Sequence, residues 1–209
     1  RFEYSAAPLL SMLDEINQRS QNFHAETLLR NVGAEYTGKG SVESGWEAER
    51  KFLADMGIKS DNFEVWDGSG LSPKNKVKPS AETELLAKMA RHPKGRFFVN
   101  SLASPGVGSG NKRMQDLETP WLTRFKTGFI AEVYALVGYI FPIDGDTLAV
   151  AMYLNETGSN NDQKCKGALD TLWTHLITMT SENYASLLEM KSLWLKAQNI
   201  RRLYSRLDF

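Results

Sequence analysis

A serine, an asparagine and a lysine in this chain have the types and settings needed to move protons around a peptide bond. Lys126-Thr127-Gly128 precedes the apolar run Val133-Tyr134-Ala135-Leu136-Val137-Gly138-Tyr139-Ile140, and Ser20-Gln21-Asn22 stands 106 residues upstream of the lysine. A strand-edge lysine attracts a carboxylate and polarises a nearby hydroxyl, which can then pass a proton to a departing amine. An asparagine amide donates and accepts, so it can hold a second amine and a carbonyl together. Gly128 leaves room for an extended peptide to lie along the strand. Such a set still needs a nucleophile with its base. Only Ser109-Gly110-Asn111-Lys112 pairs a serine with a lysine three residues later. Its glycine-rich surroundings favour a loop, whereas an i, i+3 pair meets on one face of a helix. Ser109 is therefore a poor candidate for the nucleophile.

Hydrophobic spacing predicts the elements that position these groups. A helix over 7–18, with Leu9, Leu10, Leu13 and Ile16 at helical spacing, leads into Ser20. A second, over 22–31, buries Phe23, Leu28 and Leu29, and a third runs over 41–56 from a Ser41 cap to a Gly57 stop. Phe63-Glu64-Val65-Trp66 alternates as a strand before a turn, and Pro79 opens a helix carrying Leu85, Leu86 and Met89 inward. Residues 93–120 read as loop, with Phe97-Phe98-Val99 as their apolar island. Strands follow over 122–130, 135–141 and 147–154, the last two joined by an Asp-Gly hairpin turn. Helical spacing returns over 162–179, through Leu169, Leu172 and Leu176, and over 181–207. The fold class is α+β, an antiparallel sheet edge flanked by helices.

Four landmarks in order carry a family resemblance. Residues 20–30, Ser-Gln-Asn-Phe-His-Ala-Glu-Thr-Leu-Leu-Arg, resemble the S-x-N-x-x-A-E-x-L-L-R run of low-molecular-mass class C penicillin-binding proteins, the serine D-alanyl-D-alanine carboxypeptidase/endopeptidase family. Asp67-Gly68-Ser69-Gly70-Leu71-Ser72 is similar to that family's D-G-S-G-L-S segment, although a plain turn is the simpler reading of its residues. Lys126-Thr127-Gly128 followed by residues 132–139 resembles its K-T-G and D-V-x-A-L-x-G-Y pattern.

The resemblance, which runs from about residue 5 to 155, implies a penicillin-binding transpeptidase/β-lactamase-like fold. Residues 1–160 would be the C-terminal portion of the catalytic domain and 161–209 a helical segment packed on it. It implies catalytic roles for Ser20, Asn22 and Lys126, and substrate contacts from Thr127, Gly128 and the backbone N–H of Phe129, an oxyanion donor. The implied partners are peptidoglycan stem peptides, β-lactam antibiotics and an N-terminal part of the same protein carrying S-x-x-K. No cofactor is implied, the setting is extracytoplasmic, and the chain by itself is expected to be inactive. Phe129 departs from the pattern, because the family commonly has a hydroxyl residue there that helps bind the substrate's terminal carboxylate. That substitution leans towards cross-link cleavage or a weakened enzyme. The alternative is a non-catalytic scaffold that keeps the peptide groove.

Other features limit the function. Twenty-five basic residues balance 25 acidic ones, which gives no compositional case for nucleic acid or an anionic membrane. No apolar stretch reaches the roughly 18 residues of a membrane span, and 42% hydrophobic content suffices for a core. His24, His92 and His175 lack ligand spacing, so no metal site is expected, and the lone Cys165 reads as a half-exposed helix residue. Ser60-Asp61-Asn62 and Ser181-Glu182-Asn183 repeat the S-x-N pattern without the helix that follows Ser20, and read as a turn and a helix cap. Ser20 has the same capping alternative, Lys126 that of a solvated edge lysine, and Glu26 that of an ion pair with Arg30.

Overall fold

The computed structural model describes residues 8–142, 145–155, 158 and 161–179. In chain order the elements are helices α1 (Leu9–Asn17), α2 (Asn22–Thr37) and α3 (Val42–Asp55), short strands β1 (Phe63–Glu64) and β2 (Lys76–Val77), helices α4 (Pro79–Arg91) and α5 (Gly95–Ser101), strands β3 (Thr123–Ile130), β4 (Val133–Ile140) and β5 (Leu148–Leu154), and helix α6 (Asp162–Met179). Strands β3, β4 and β5 form one antiparallel sheet in that order, and β1 pairs with β2 as a separate ribbon.

The alternation of side chains along β4 assigns the two sides of the sheet. Tyr134, Leu136 and Ile140 pack with Leu169, Trp173 and Ile177 of α6, and Phe125 of β3 joins them. Val137 and Tyr139 point the other way, against Leu86 of α4 and Leu102. The large polar-tipped rings keep their hydrogen bonds. Trp173 Nε1 donates to Thr123 Oγ1 at 2.8 Å, Thr123 Oγ1 donates to the Tyr139 carbonyl at 2.9 Å, and the Tyr139 hydroxyl donates to the Leu86 carbonyl at 2.8 Å. Their burial therefore adds apolar contact without leaving an orphaned donor.

Helices α2 and α3 approach closely because both carry glycine at the crossing. A Cβ on Gly33 would lie 2.5 Å from Gly45 N, and one on Gly45 would lie 2.5 Å from the Leu29 carbonyl oxygen. The predicted Ser41 cap is present, with its Oγ accepting the Ser44 N–H at 3.2 Å.

Several expectations change. Helix α2 does not stop near residue 31 but runs to Thr37, ended by left-handed Gly38 with φ 78°. Phe23 is 78% exposed: it lies six residues, or about 240° of rotation, from Leu29, which marks the buried stripe. The island 97–99 belongs to α5 rather than a loop, and Gly95 makes the turn from α4 possible, since a Cβ there would sit 1.9 Å from the Met89 carbonyl oxygen. In α6 the buried stripe is Cys165, Leu169, Trp173 and Ile177, at i+4 steps. Cys165 is accordingly buried rather than half-exposed, and Leu172, one position before Trp173 and so rotated about 100° from it, is 54% exposed. Strand β4 starts at Val133, two residues earlier than expected, because its pairing with β3 reaches Ile130. Ile143 and Asp144 of the expected Asp-Gly turn and the helix expected over 181–207 lie outside the described residues.

Candidate active site

Ser20 occupies the junction of α1 and α2 with φ 58°, a left-handed conformation that costs a residue with a β-carbon about 1–2 kcal/mol. It is not the cap of α2, whose N-cap position is Gln21. Hydrogen bonds on either side hold the junction. The Gln18 carbonyl accepts the Ser109 N–H at 2.6 Å, the Gln21 N–H donates to the Glu15 carbonyl at 3.1 Å, and Asn17 Nδ2 donates to Ser101 Oγ at 2.7 Å. Gly108 permits this approach: a Cβ there would lie 2.3 Å from the Gln18 carbonyl oxygen.

Lys126 reaches Ser20 from the sheet. It pairs with Val137, so its side chain leaves β3 on the side away from α6. Its Nζ donates to Ser20 Oγ at 2.7 Å and to the Thr127 carbonyl at 2.7 Å. Burial lowers its pKa to about 8, because the ammonium has exchanged water for a few oxygen acceptors. A lysine in this state can change protonation near neutral pH, unlike a solvated edge lysine.

The outer edge of β3 is half covered. Phe125 N–H donates to the Ala103 carbonyl at 2.8 Å, and Ala103 N–H donates back to Phe125 at 2.9 Å. Backbone groups alternate direction along an antiparallel strand, so Thr127 and Phe129 turn their N–H and C=O to that same outer edge. Beyond Phe125 no strand among the described residues covers it. The Phe129 ring is 55% exposed, 4.8 Å from the Tyr134 ring and 5.7 Å from Lys166 Nζ.

Ser20, Asn22, Lys126, Thr127, Gly128 and Phe129 all line one open groove of about 1340 Å³. Asn22 is the exposed first residue of α2. The 67–72 loop also lines this groove, so it is more than a remote turn. Ser109 also borders the groove, but in a 3-10 turn over Gly108–Gly110 with its Oγ enclosed and unpartnered, and no hydrogen bond joins it to Lys112. Ser60 sits in a 3-10 turn away from the groove, and Ser181 lies outside the described residues. The anchors Asn17, Ser101 and Gly108 escaped the sequence reading. Their only local signal is a glycine in a loop, and their partners are distant in sequence.

A sheet between helices, with a serine–lysine contact at its edge, defines the penicillin-binding-protein/β-lactamase class of fold. The structure of penicillin binding protein 4 (dacB) from Haemophilus influenzae is similar with a TM-score of 0.71 and 24% identity, over 81% of this chain and 40% of that one. TLA-3 extended-spectrum beta-lactamase is similar with a TM-score of 0.60 and 20% identity, over 82% of this chain and 65% of that one. The D-Ala-D-Ala carboxypeptidase 3 (S13) family model matches residues 3–176, and the chain belongs to that family. A D-alanyl-D-alanine carboxypeptidase of Actinomadura sp. (strain R39) is 28% identical over 150 residues, which cover 69% of this chain and 28% of the relative. The chain spans about a third of the length of the curated relatives it matches. Among the described residues, no helix is long and apolar enough to cross a membrane.

Proposed function

We propose that these residues are part of a peptidoglycan-processing serine D-alanyl-D-alanine carboxypeptidase/endopeptidase that is acylated by penicillin and acts outside the cytoplasmic membrane. The observation that carries this reading is the 2.7 Å contact between Lys126 Nζ and Ser20 Oγ, groups 106 residues apart, beside an open strand edge in a chain of this family.

The chemistry follows from the groove. An extended stem peptide adds to the β3 edge, with its carboxylate drawn to Lys126 and Thr127. A serine followed three residues later by lysine, supplied from chain outside these 209 residues, gives its hydroxyl proton to that lysine and attacks the carbonyl carbon of the penultimate D-alanine. The carbonyl electrons move onto oxygen, where the Phe129 N–H donates to the oxyanion. The C–N bond then breaks, and Ser20 passes a proton to the leaving nitrogen and recovers one from Lys126. Asn22 holds the attacking serine's lysine and the substrate carbonyl. Water hydrolyses the acyl-enzyme, and a β-lactam would stop at that intermediate. Phe129 offers no hydroxyl for a terminal carboxylate, which favours cross-linked peptides over free D-alanine termini. The 209-residue chain by itself releases no D-alanine in this scheme; measurable release would show that the outside serine is not required.

Peptide mapping by mass spectrometry, after incubating the longest product of this gene with penicillin, tests the proposal. An adduct on a serine outside this chain, slowed by Ser20→Ala and Lys126→Ala, is expected. An adduct on Ser109 would overturn the assignment of the nucleophile, and no adduct would favour a non-catalytic scaffold with the same groove.

A further inference from the structure

We infer that Glu26 is a positioning residue: its carboxylate ties the 67–72 loop to helix α2 and thereby sets the part of the groove wall that this loop forms. The inference rests on the reading of the groove as a peptide site.

Glu26 lies one turn beyond Asn22 on α2, with its side chain 27% exposed. Oε2 accepts the N–H of Gly68 at 2.7 Å and of Ser69 at 3.2 Å, while Oε1 accepts from Arg30 Nη2 at 2.9 Å. One carboxylate thus uses its spare oxygen on two successive backbone donors 42 and 43 residues away. Charge-assisted bonds of this kind are stronger than neutral ones. The intrahelical Arg30 pair limits the carboxylate's freedom to rotate away from the loop.

The loop is built to be held there. Asp67 Oδ1 accepts the Gly70 N–H at 2.6 Å and Asn75 Nδ2 at 3.0 Å, and its Oδ2 accepts the Ser72 N–H at 2.6 Å. Asn75 Oδ1 in turn accepts the Trp66 N–H at 2.7 Å. These bonds fix the loop's internal shape, but they do not attach it to α2. The attachment is made by Glu26 and by bare backbone at Gly68, where a Cβ would lie 2.7 Å from the Ala25 carbonyl oxygen and 2.9 Å from Leu29 Cβ. Ser20, Asn22 and Ala25 line the groove on one side of this contact, and Asp67, Gly68 and Ser69 on the other. A loop shaped internally and docked through this carboxylate and the Gly68 contact moves as a unit when either is lost. The groove then widens without α2 or the sheet unfolding.

Two substitutions loosen the contact by different routes. Glu26→Ala removes the acceptor, whereas Gly68→Ala leaves Glu26 intact and forces the loop off the helix. In the 209-residue chain, amide hydrogen exchange at Gly68 and Ser69 is expected to speed up about tenfold or more in Glu26→Ala, while α6 amides keep their protection. Glu26→Gln keeps one carbonyl oxygen and restores part of the protection. In the longest gene product, the apparent affinity for penicillin before acylation is expected to fall about tenfold in both Glu26→Ala and Gly68→Ala, with the acylation rate at saturation retained. A purely structural role would lower the amount of active protein without splitting affinity from rate. Unchanged exchange in Glu26→Ala overturns the tether. Faster exchange with unchanged penicillin affinity overturns its role in the groove. If the unsubstituted protein is not acylated, the proposed function falls, and the exchange experiment alone decides the tether.

Discussion

The same strands present two sides of opposite character. Towards α6, Thr123, Phe125, Leu136 and Ile140 are fully buried around Trp173. On the other side, a few residues further along β3, Lys126 emerges beside a strained serine and a groove. One side gains from burying apolar surface. The other holds a lysine whose burial disfavours its charge, a left-handed Ser20 and an uncovered strand edge, arrangements typical of sites kept for function. Towards α6 the strands are chiefly core, whereas the other side divides between a second core around Tyr139 and the groove.

The largest effect should come from breaking the first side. Trp173→Ala removes a fully buried ring and its bond to Thr123, and should lower unfolding free energy by about 3–5 kcal/mol in a urea titration. A loss below about 1 kcal/mol would mean that α6 is not the principal cover of the sheet.

Breaking the second side should do the reverse. Lys126→Met should cut penicillin acylation of the longest gene product about 100-fold or more while leaving the urea midpoint of the 209-residue chain equal or higher, since it removes a desolvated charge. The pH dependence sharpens this. The folded pKa of Lys126 is about 8 against an ordinary 10.5, so the folded state releases its proton first. Stability should therefore rise as pH increases from about 8 to 10.5, a slope that Lys126→Met abolishes. Binding of carboxylate-bearing peptides should be full below about pH 8 and decline as pH rises through it.

Glu82 of α4 extends the contrast to the far strand, where it accepts a hydrogen bond from the Tyr153 hydroxyl of β5. Burial raises its pKa from 4.5 to about 7. The folded state holds this proton more tightly, so the contribution is present below pH 4.5 and lost as pH rises through about 7. Glu82→Gln should stabilise the chain near pH 8 by about 1–2 kcal/mol and change little at pH 4; equal effects at both pH values would refute the buried acid.

Phe129→Ser should have the smallest effect, a few-fold gain in D-alanine release from free peptide termini relative to cross-links, read with the two substrates in parallel. No change in that ratio would remove Phe129 from specificity.

Much of the fold is legible in short stretches, because periodicity is local. The strands around Lys126, the Ser41 cap, the Pro79 start and the start of α6 all follow from spacing and end residues. The buried stripe of α6 is less legible, since Leu172 and Trp173 are both apolar and only the facing sheet selects the tryptophan. Helix α5 was hidden by glycine and proline neighbours whose close packing against α4 has no signature in sequence.

By itself the sequence determined which groups are available: a serine and an asparagine at the head of one helix, a lysine and a glycine on a strand, and the order that marks the family. Only the tertiary structure decided that Lys126 and Ser20 touch, that Phe129 turns its N–H to an open edge, and that Glu26 holds the 67–72 loop. These contacts join residues roughly 40 to 106 positions apart. Their existence depends on strand parity, helix crossing and burial, quantities set by the assembled chain rather than by any window of it.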